Sequence, residues 1–225
     1  MEQTNIGQAI HDIKSRLSGT QASLVAVSKF HPAEAIRQAY DAGQRLFGES
    51  RVQELLEKVP LLPEDIQWHF IGHLQTNKVK ALLPHVALIE SVDSVRLLSL
   101  IDKEAEKTSL KVNVLMQVHV AQEETKTGFL PEELLSYFAN REFEQLKATH
   151  ICGIMGMATN TDDMTRVRDD FKKIHAIFNG IREMYPDLRG FQTISMGMSG
   201  DWPIAIEEGS TLIRVGTAIF GHRVY

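Results

Sequence analysis

The sequence predicts a single α/β domain built as a parallel (β/α)8 TIM barrel. Three observations carry that expectation. Short apolar runs alternate with amphipathic stretches along the whole chain, eight such runs can be counted, and no linker rich in Pro, Gly or Ser divides the 225 residues. Ile6, Ile10, Ile13 and Leu17 recur at helical spacing, so residues 2–17 read as an amphipathic helix ahead of the first strand. Strand one covers 23–28 and ends at Lys29. Pro32 sits at a helix first turn with Glu34 just inside, and Gly43 stops that helix. Leu46-Phe47-Gly48 is a minimal second strand, followed by a helix through Glu54, Leu55 and Leu56. Residues 66–71 alternate as strand three, 77–83 form a short helix, and Val86 to Glu90 is strand four. Ser94 caps a helix with a Leu98, Ile101, Ala105 stripe, and the valine-rich 111–120 is strand five.

The second half keeps the rhythm. Pro131 opens a helix carrying Leu134, Leu135 and Phe138, and 148–155 form strand six. Val167, Phe171, Ile174, Phe178, Ile181 and Tyr185 alternate at intervals of four and three, the strongest helical signal present, with Asp162 and Asp163 favouring its N-terminus. Phe191 to Ser195 is strand seven, Asp201 to Glu208 a short helix, and Leu212 to Val215 strand eight. Too few residues follow strand eight for a full helix. The helix at 2–17 is therefore expected to fill that place against strands one and eight. An open doubly wound sheet shares the repeat but wants a glycine-rich turn after strand one. The turn here is Ser28-Lys29-Phe30-His31, which favours the barrel.

Composition narrows the function classes. Lys and Arg number 24 against 29 Asp and Glu, a net charge of −5, and the longest basic tract is Lys172-Lys173, so neither nucleic acid nor a membrane surface is an expected partner. No apolar stretch approaches the ~20 residues a bilayer span needs, and the first residues lack the pattern of a signal peptide. One cysteine, Cys152, allows no internal disulfide and suits a reducing, cytoplasmic setting.

In a parallel barrel, chemistry gathers where strands end and the next loops begin. Lys29 falls there. Most lysines at strand ends are simply solvated, but a partly desolvated amine attacks carbonyls. Strand seven runs into Ser195-Met196-Gly197-Met198-Ser199 and strand eight into Gly216-Thr217. Ordinary turns use the same residues. Here they occupy the two loops in which barrels often hold phosphate, offering backbone N–H groups and hydroxyls to an anion. Arg214 adds a fixed cation. The set points to a carbonyl-bearing phosphate ester held as an imine on Lys29. His69 and His73 lack the setting of a metal pair, because one lies in a strand and the other in a loop. Met155, Met157, Met196 and Met198 read as packing, and Cys152 as a buried inert thiol.

Several segments carry a family resemblance: Ala26-Val-Ser-Lys29, Phe47-Gly-Glu-Ser-Arg-Val-Gln-Glu54, Trp68 to Lys78, Glu123 to Gly128, Ser195 to Ser199 and Arg214 to Gly221. Together they resemble the pyridoxal phosphate homeostasis protein family, whose fold is similar to the barrel of alanine racemases. The resemblance implies pyridoxal 5′-phosphate as cofactor, with Lys29 as its Schiff-base lysine. It further implies Ser199, Gly216 and Thr217 as phosphate ligands with Ser195 nearby, Arg214 as partner of the pyridine nitrogen, and Ser50 at the cofactor edge. Ser50 stands where most relatives have Asn, while His119, Ala121-Gln122 and Gly200 depart in other loops. A guanidinium facing the ring nitrogen weakens carbanion chemistry. Racemisation also needs a second acid, which related racemases take from an added β-domain; none is expected here, and Tyr40, Tyr137 and Tyr185 fall on predicted helices. Cofactor binding and vitamin B6 homeostasis are therefore expected over turnover, with PLP-dependent apoenzymes as candidate recipients and a monomer as the default state. A weak amino-acid racemase or an imine-forming aldolase is the alternative.

Overall fold

The computed structural model of the chain describes residues 5–122 and 127–221. The eight strands are β1 Ser23–Val27, β2 Leu46–Glu49, β3 Gln67–Phe70, β4 Leu88–Val92, β5 Val112–Val118, β6 Thr149–Gly156, β7 Thr193–Ser195 and β8 Leu212–Val215. They pair in sequence order, all parallel, and β8 returns to β1 to close the barrel. That closure pairs Ser23 with Leu212 and Ala26 with Val215, which sets the ends of β1 and β8 side by side. The helices among the described residues are α1 Ile6–Leu17, α2 Ala33–Asp41, α3 Val52–Lys58, α4 Val79–Leu82, α5 Val95–Lys107, α6 Pro131–Ala139, α7 Met164–Met184, α8 Trp202–Glu207 and α9 Thr217–Phe220.

Only four residues form the helix after β8, and α1 fills the remaining space. Its predicted stripe, Ile6, Ile10, Ile13 and Leu17, is buried, and the helix packs on α2, α9 and β1. Arg16 lies over the Trp202 ring of α8 at 4.3 Å, and Lys14 donates to the Gly43 carbonyl at 2.8 Å, closing the end of α2. Two strand boundaries differ from expectation. β4 spans Leu88–Val92, two residues beyond the predicted 86–90, because Leu83–His85 forms a 3-10 turn around Pro84 that delays the strand. β7 starts at Thr193, after Phe191 has packed against Phe178 and Phe138 outside the barrel.

Most of the core lies between sheet and helices. Inside the barrel, Val25, Leu88, Leu115, Met155 and Leu212 form a small apolar cluster. Barrel interiors are usually filled with branched apolar side chains. In this one, His69, Glu90, Ser195 and Arg214 are also buried and bonded to one another.

Candidate functional site

A cavity of about 310 Å³ opens at the C-terminal mouth of the barrel. Lys29, just past β1, shares it with Ser199 and Gly200 of the β7 loop, Arg214 of β8, and Gly216 and Thr217 at the start of α9. Ile71, Met155, Met157 and Met198 supply its apolar walls, so three of the four methionines noted in the sequence face it, and Met196 is buried in the outer core.

The backbone on both sides of Lys29 is clamped. Ser28 is fully buried; its N–H donates to the Gly48 carbonyl at 3.0 Å and its hydroxyl to Glu49 Oε1 at 2.6 Å. Its carbonyl accepts from Lys58 Nζ at 2.9 Å. Phe30 has φ of 68°, a left-handed conformation that a bulky residue rarely adopts. The bond from its N–H to Glu54 Oε1, at 2.5 Å, and the Arg51 guanidinium 4.7 Å over its ring hold it there. Lys58 closes the clamp by pairing with both Glu49 and Glu54 at 2.7 Å. Burial pushes the Glu49 carboxyl above the usual range, and the Lys58 charge with the Ser28 hydroxyl only partly opposes it. Sequence reasoning placed Glu54 on a helix but gave Glu49 and Lys58 no role. The spacing of Glu54 and Lys58 reads equally well as an exposed helix pair.

The two anion-facing loops are tied together. Gly197 has φ of +96°, and a Cβ there would lie 2.6 Å from that of Ala205, so only glycine makes this turn into α8. The Gly197 carbonyl accepts from the Arg214 N–H at 3.0 Å, and the Gly216 N–H donates to Ser199 Oγ at 3.3 Å. His31 stacks on Phe220 at 5.1 Å, which holds the Lys29 loop against α9.

Arg214 is 4% exposed. Its Nη1 donates to Ser195 Oγ at 2.5 Å and its Nη2 to the Gly156 carbonyl at 3.1 Å. Ser195 in turn donates to Glu90 Oε2 at 2.5 Å, and Glu90 Oε1 meets His69 Nδ1 at 2.6 Å. Burial works against the Glu90 charge, but the His69 bond, the charges of His69 and Arg214 and the Ser195 hydroxyl outweigh it, holding the carboxyl below its ordinary range. Burial lowers the pKa of Arg214, opposed by Glu90 and Asp201. A guanidinium nevertheless stays protonated in proteins.

Five of the residues singled out in the sequence, Lys29, Ser199, Arg214, Gly216 and Thr217, thus share one cavity. Ser195 does not line it: the alternation of β7 turns this hydroxyl inward, beneath Arg214. Ser50 also lies outside the lining. It follows β2 and packs so closely on Gly72 that a Cβ there would sit 2.2 Å from the Ser50 carbonyl oxygen. His69 and His73 go to different carboxylates, Glu90 and Asp93. Cys152 is half-buried, and burial pushes its thiol up. Tyr40 bonds Asp65, Tyr185 bonds the Phe138 carbonyl, and Tyr137 is buried on α6. Tyr225 and the segment Glu123 to Lys126 lie outside the described residues.

A closed parallel barrel with a lysine after its first strand and a hydroxyl-rich pair of loops after its last two defines an alanine-racemase-like barrel. The profile described as "Alanine racemase, N-terminal domain" matches residues 3–224. A pyridoxal phosphate homeostasis protein of Pasteurella multocida is 36% identical over 99% of this chain and 95% of its own length. That of Aquifex aeolicus is 41% identical over 91% and 88%. Among solved structures, PipY of Synechococcus elongatus with PLP bound is 36% identical, with a TM-score of 0.88 over 96% of this chain and all of that one. The chain belongs to the pyridoxal phosphate homeostasis protein family.

The donor set fits that cofactor. It combines one amine for an aldehyde, hydroxyls and glycine N–H groups for a phosphate, a buried guanidinium and a thioether-lined wall for a flat ring.

Proposed function

We propose that this chain holds pyridoxal 5′-phosphate at the C-terminal mouth and serves its homeostasis in the cytoplasm as a carrier, not as a turnover enzyme. The observation that carries the reading is the gathering of Lys29, Arg214, Ser199, Gly216 and Thr217 around one cavity. When bound, the cofactor supplies an aldehyde that condenses with an amine, and Lys29 Nζ is the amine available in that cavity. The clamp on Ser28 and Phe30 fixes where that amine emerges. Ser199, Thr217 and the Gly216 N–H take the phosphate. Arg214 offers donors and no acceptor, so a ring nitrogen facing it stays unprotonated and the ring is a poor electron sink. Ser195 acts beneath the cavity, by orienting Arg214. Ser50 stays at the rim as a lesser contact to the ring edge. PLP-dependent apoenzymes are the proposed recipients and a monomer the proposed state.

No tyrosine lines the cavity among the described residues, which supports carriage over racemisation. The test is to reduce the loaded protein with borohydride, digest it and find the pyridoxyl group by mass spectrometry. The adduct is expected on Lys29 and absent from Lys29→Ala; its appearance on another peptide overturns the assignment. Exchange of an amino acid's α-hydrogen in deuterated water at a useful rate overturns the carrier reading.

A further inference from the structure

A cavity larger than the one around Lys29 opens at the other end of the barrel. It measures about 680 Å³ at the N-terminal mouth, and the starts of β1, β2, β4, β7 and β8 surround it. In a chain with 29 acidic residues against 24 basic ones, none of the side chains lining this cavity is Asp or Glu. Arg182 and His175 of α7 stand at its edge, with amide and hydroxyl groups such as Asn179, Gln192 and Thr211 beside them. No carboxylate pairs with Arg182 among the described residues; its neighbour is the Phe178 ring at 5.7 Å.

A second observation points into the same space. His69 lines the cavity, yet its side chain is only 7% exposed. Its Nδ1 is committed to Glu90, and its other ring nitrogen has no protein partner among the described residues. Because Nδ1 faces Glu90, Nε2 is the ring nitrogen left to meet a ligand. The N-terminal face of such a barrel normally serves stability alone, which calls for a closed apolar floor. This floor has leucines, Leu46, Leu88 and Leu212, broken by one histidine.

We propose that the N-terminal mouth is a second binding site, for a small metabolite with an oxyanion head, either phosphate or carboxylate. Arg182 takes the charge at the rim with His175 beside it, and the ring edge of His69 meets it from below. The site is independent of the cofactor reading. Its further consequence rests on that reading: His69–Glu90–Ser195–Arg214 is an unbroken chain of contacts between the two mouths, so an anion at one end biases the guanidinium at the other, and the effect is reciprocal.

The experiment titrates inorganic phosphate, and separately succinate, into the protein in a buffer free of both, followed by calorimetry and by backbone amide shifts. Saturable binding of at least one probe is expected, with shifts at Gln192, Thr193 and Thr211. Arg182→Ala, an exposed position that threatens no packing, should weaken it about tenfold, equivalent to ~1.4 kcal/mol. His69→Gln, which keeps a donor toward Glu90, should weaken it as well. Thr217→Val, which alters the phosphate cradle of the opposite mouth, should leave the succinate-induced shifts at Gln192, Thr193 and Thr211 saturating within about twofold of the parent midpoint. Absence of saturable binding by both probes overturns the proposal, and so does binding that responds to Thr217→Val but not to Arg182→Ala. Because the Arg182 and Thr217 variants report on opposite mouths, a protein that fails to take up PLP still gives a clear answer here.

Discussion

At the C-terminal mouth the backbone around Lys29 is clamped from two sides by α3 and β2, and the cavity is narrow, about 310 Å³. At the N-terminal mouth the cavity is about 680 Å³, its rim cation carries no ion pair among the described residues, and one buried histidine is part of its lining. On the proposed readings, one scaffold holds a covalently tethered ligand at one end and a freely exchanging one at the other. A covalent partner needs one amine placed within a fraction of an ångström, and the clamp supplies that placement. An exchanging anion needs charge and access. The two ends meet in the buried chain from His69 to Arg214.

Cutting that chain should have the largest effect. Glu90 is fully buried between His69 and Arg214, so Glu90→Ala leaves a buried guanidinium without its carboxylate. Removing one member of a buried ion pair costs about 3–5 kcal/mol, readable as a fall in the urea midpoint at neutral pH. The pH dependence has a definite sign. The folded-state pKa of Glu90 is depressed, so its contribution is fully present above the unfolded value of about 4.3 and is lost as pH falls through the folded one. Glu90→Gln should flatten that acid limb. Glu49 works the other way: its raised pKa means stability drains as pH rises from about 4.3 through the folded value. A Glu90→Gln protein whose acid limb is as steep as the parent's would show that the chain carries no charge coupling.

Breaking the clamp tests one mouth alone. Lys58→Met keeps the length of the side chain but strands Glu49, whose Oε2 already lacks a partner. The loss should be about 2–4 kcal/mol, somewhat below that at Glu90 because Glu49 can take a proton. The more telling readout is the rate at which Lys29 captures PLP, expected to fall about tenfold or more as the Ser28–Phe30 segment loosens. Anion binding at the N-terminal mouth should not change. A change at both mouths would mean that the clamp supports the whole barrel and not the lysine.

These two devices were also the least legible part of the sequence. The alternation of elements survives in any linear reading because each apolar run is short and each helix stripe regular, as in Val167 to Ile181 on α7. Lys29, Ser199, Gly216 and Thr217 could be placed at one mouth because each closely follows its own strand, and a parallel barrel gathers strand ends without further information. Arg214 belongs to β8 itself, one residue from its end. The buried ionisable residues offer no such handle. Glu90 meets His69 across 21 residues and Ser195 across 105, while Lys58 reaches the Ser28 carbonyl across 30. In sequence they look like the solvated charges that most Glu and Lys are. Ser195 is legible as the last residue of strand seven, near the phosphate loops, but the direction of its side chain is not: the pleat turns its hydroxyl inward to Glu90.

The smallest expected effect lies at Thr217, on the exposed rim of the cofactor cavity. Thr217→Val removes one hydroxyl and keeps the branched shape, so the short α9 turn should survive and stability should stay within about 0.5 kcal/mol. One hydrogen bond contributes roughly 0.5–1.5 kcal/mol net, so retention of PLP should weaken about two- to tenfold. Imine formation at saturating cofactor should be unimpaired, because Lys29 and its clamp are untouched. Dialysis of the loaded protein, followed by visible absorbance, reads the difference. An unchanged loss rate would move the phosphate toward Ser199 and the Gly216 N–H, which already face each other at 3.3 Å. A failure to form the imine would instead make α9 part of the device that positions the lysine, linked through the His31–Phe220 stack.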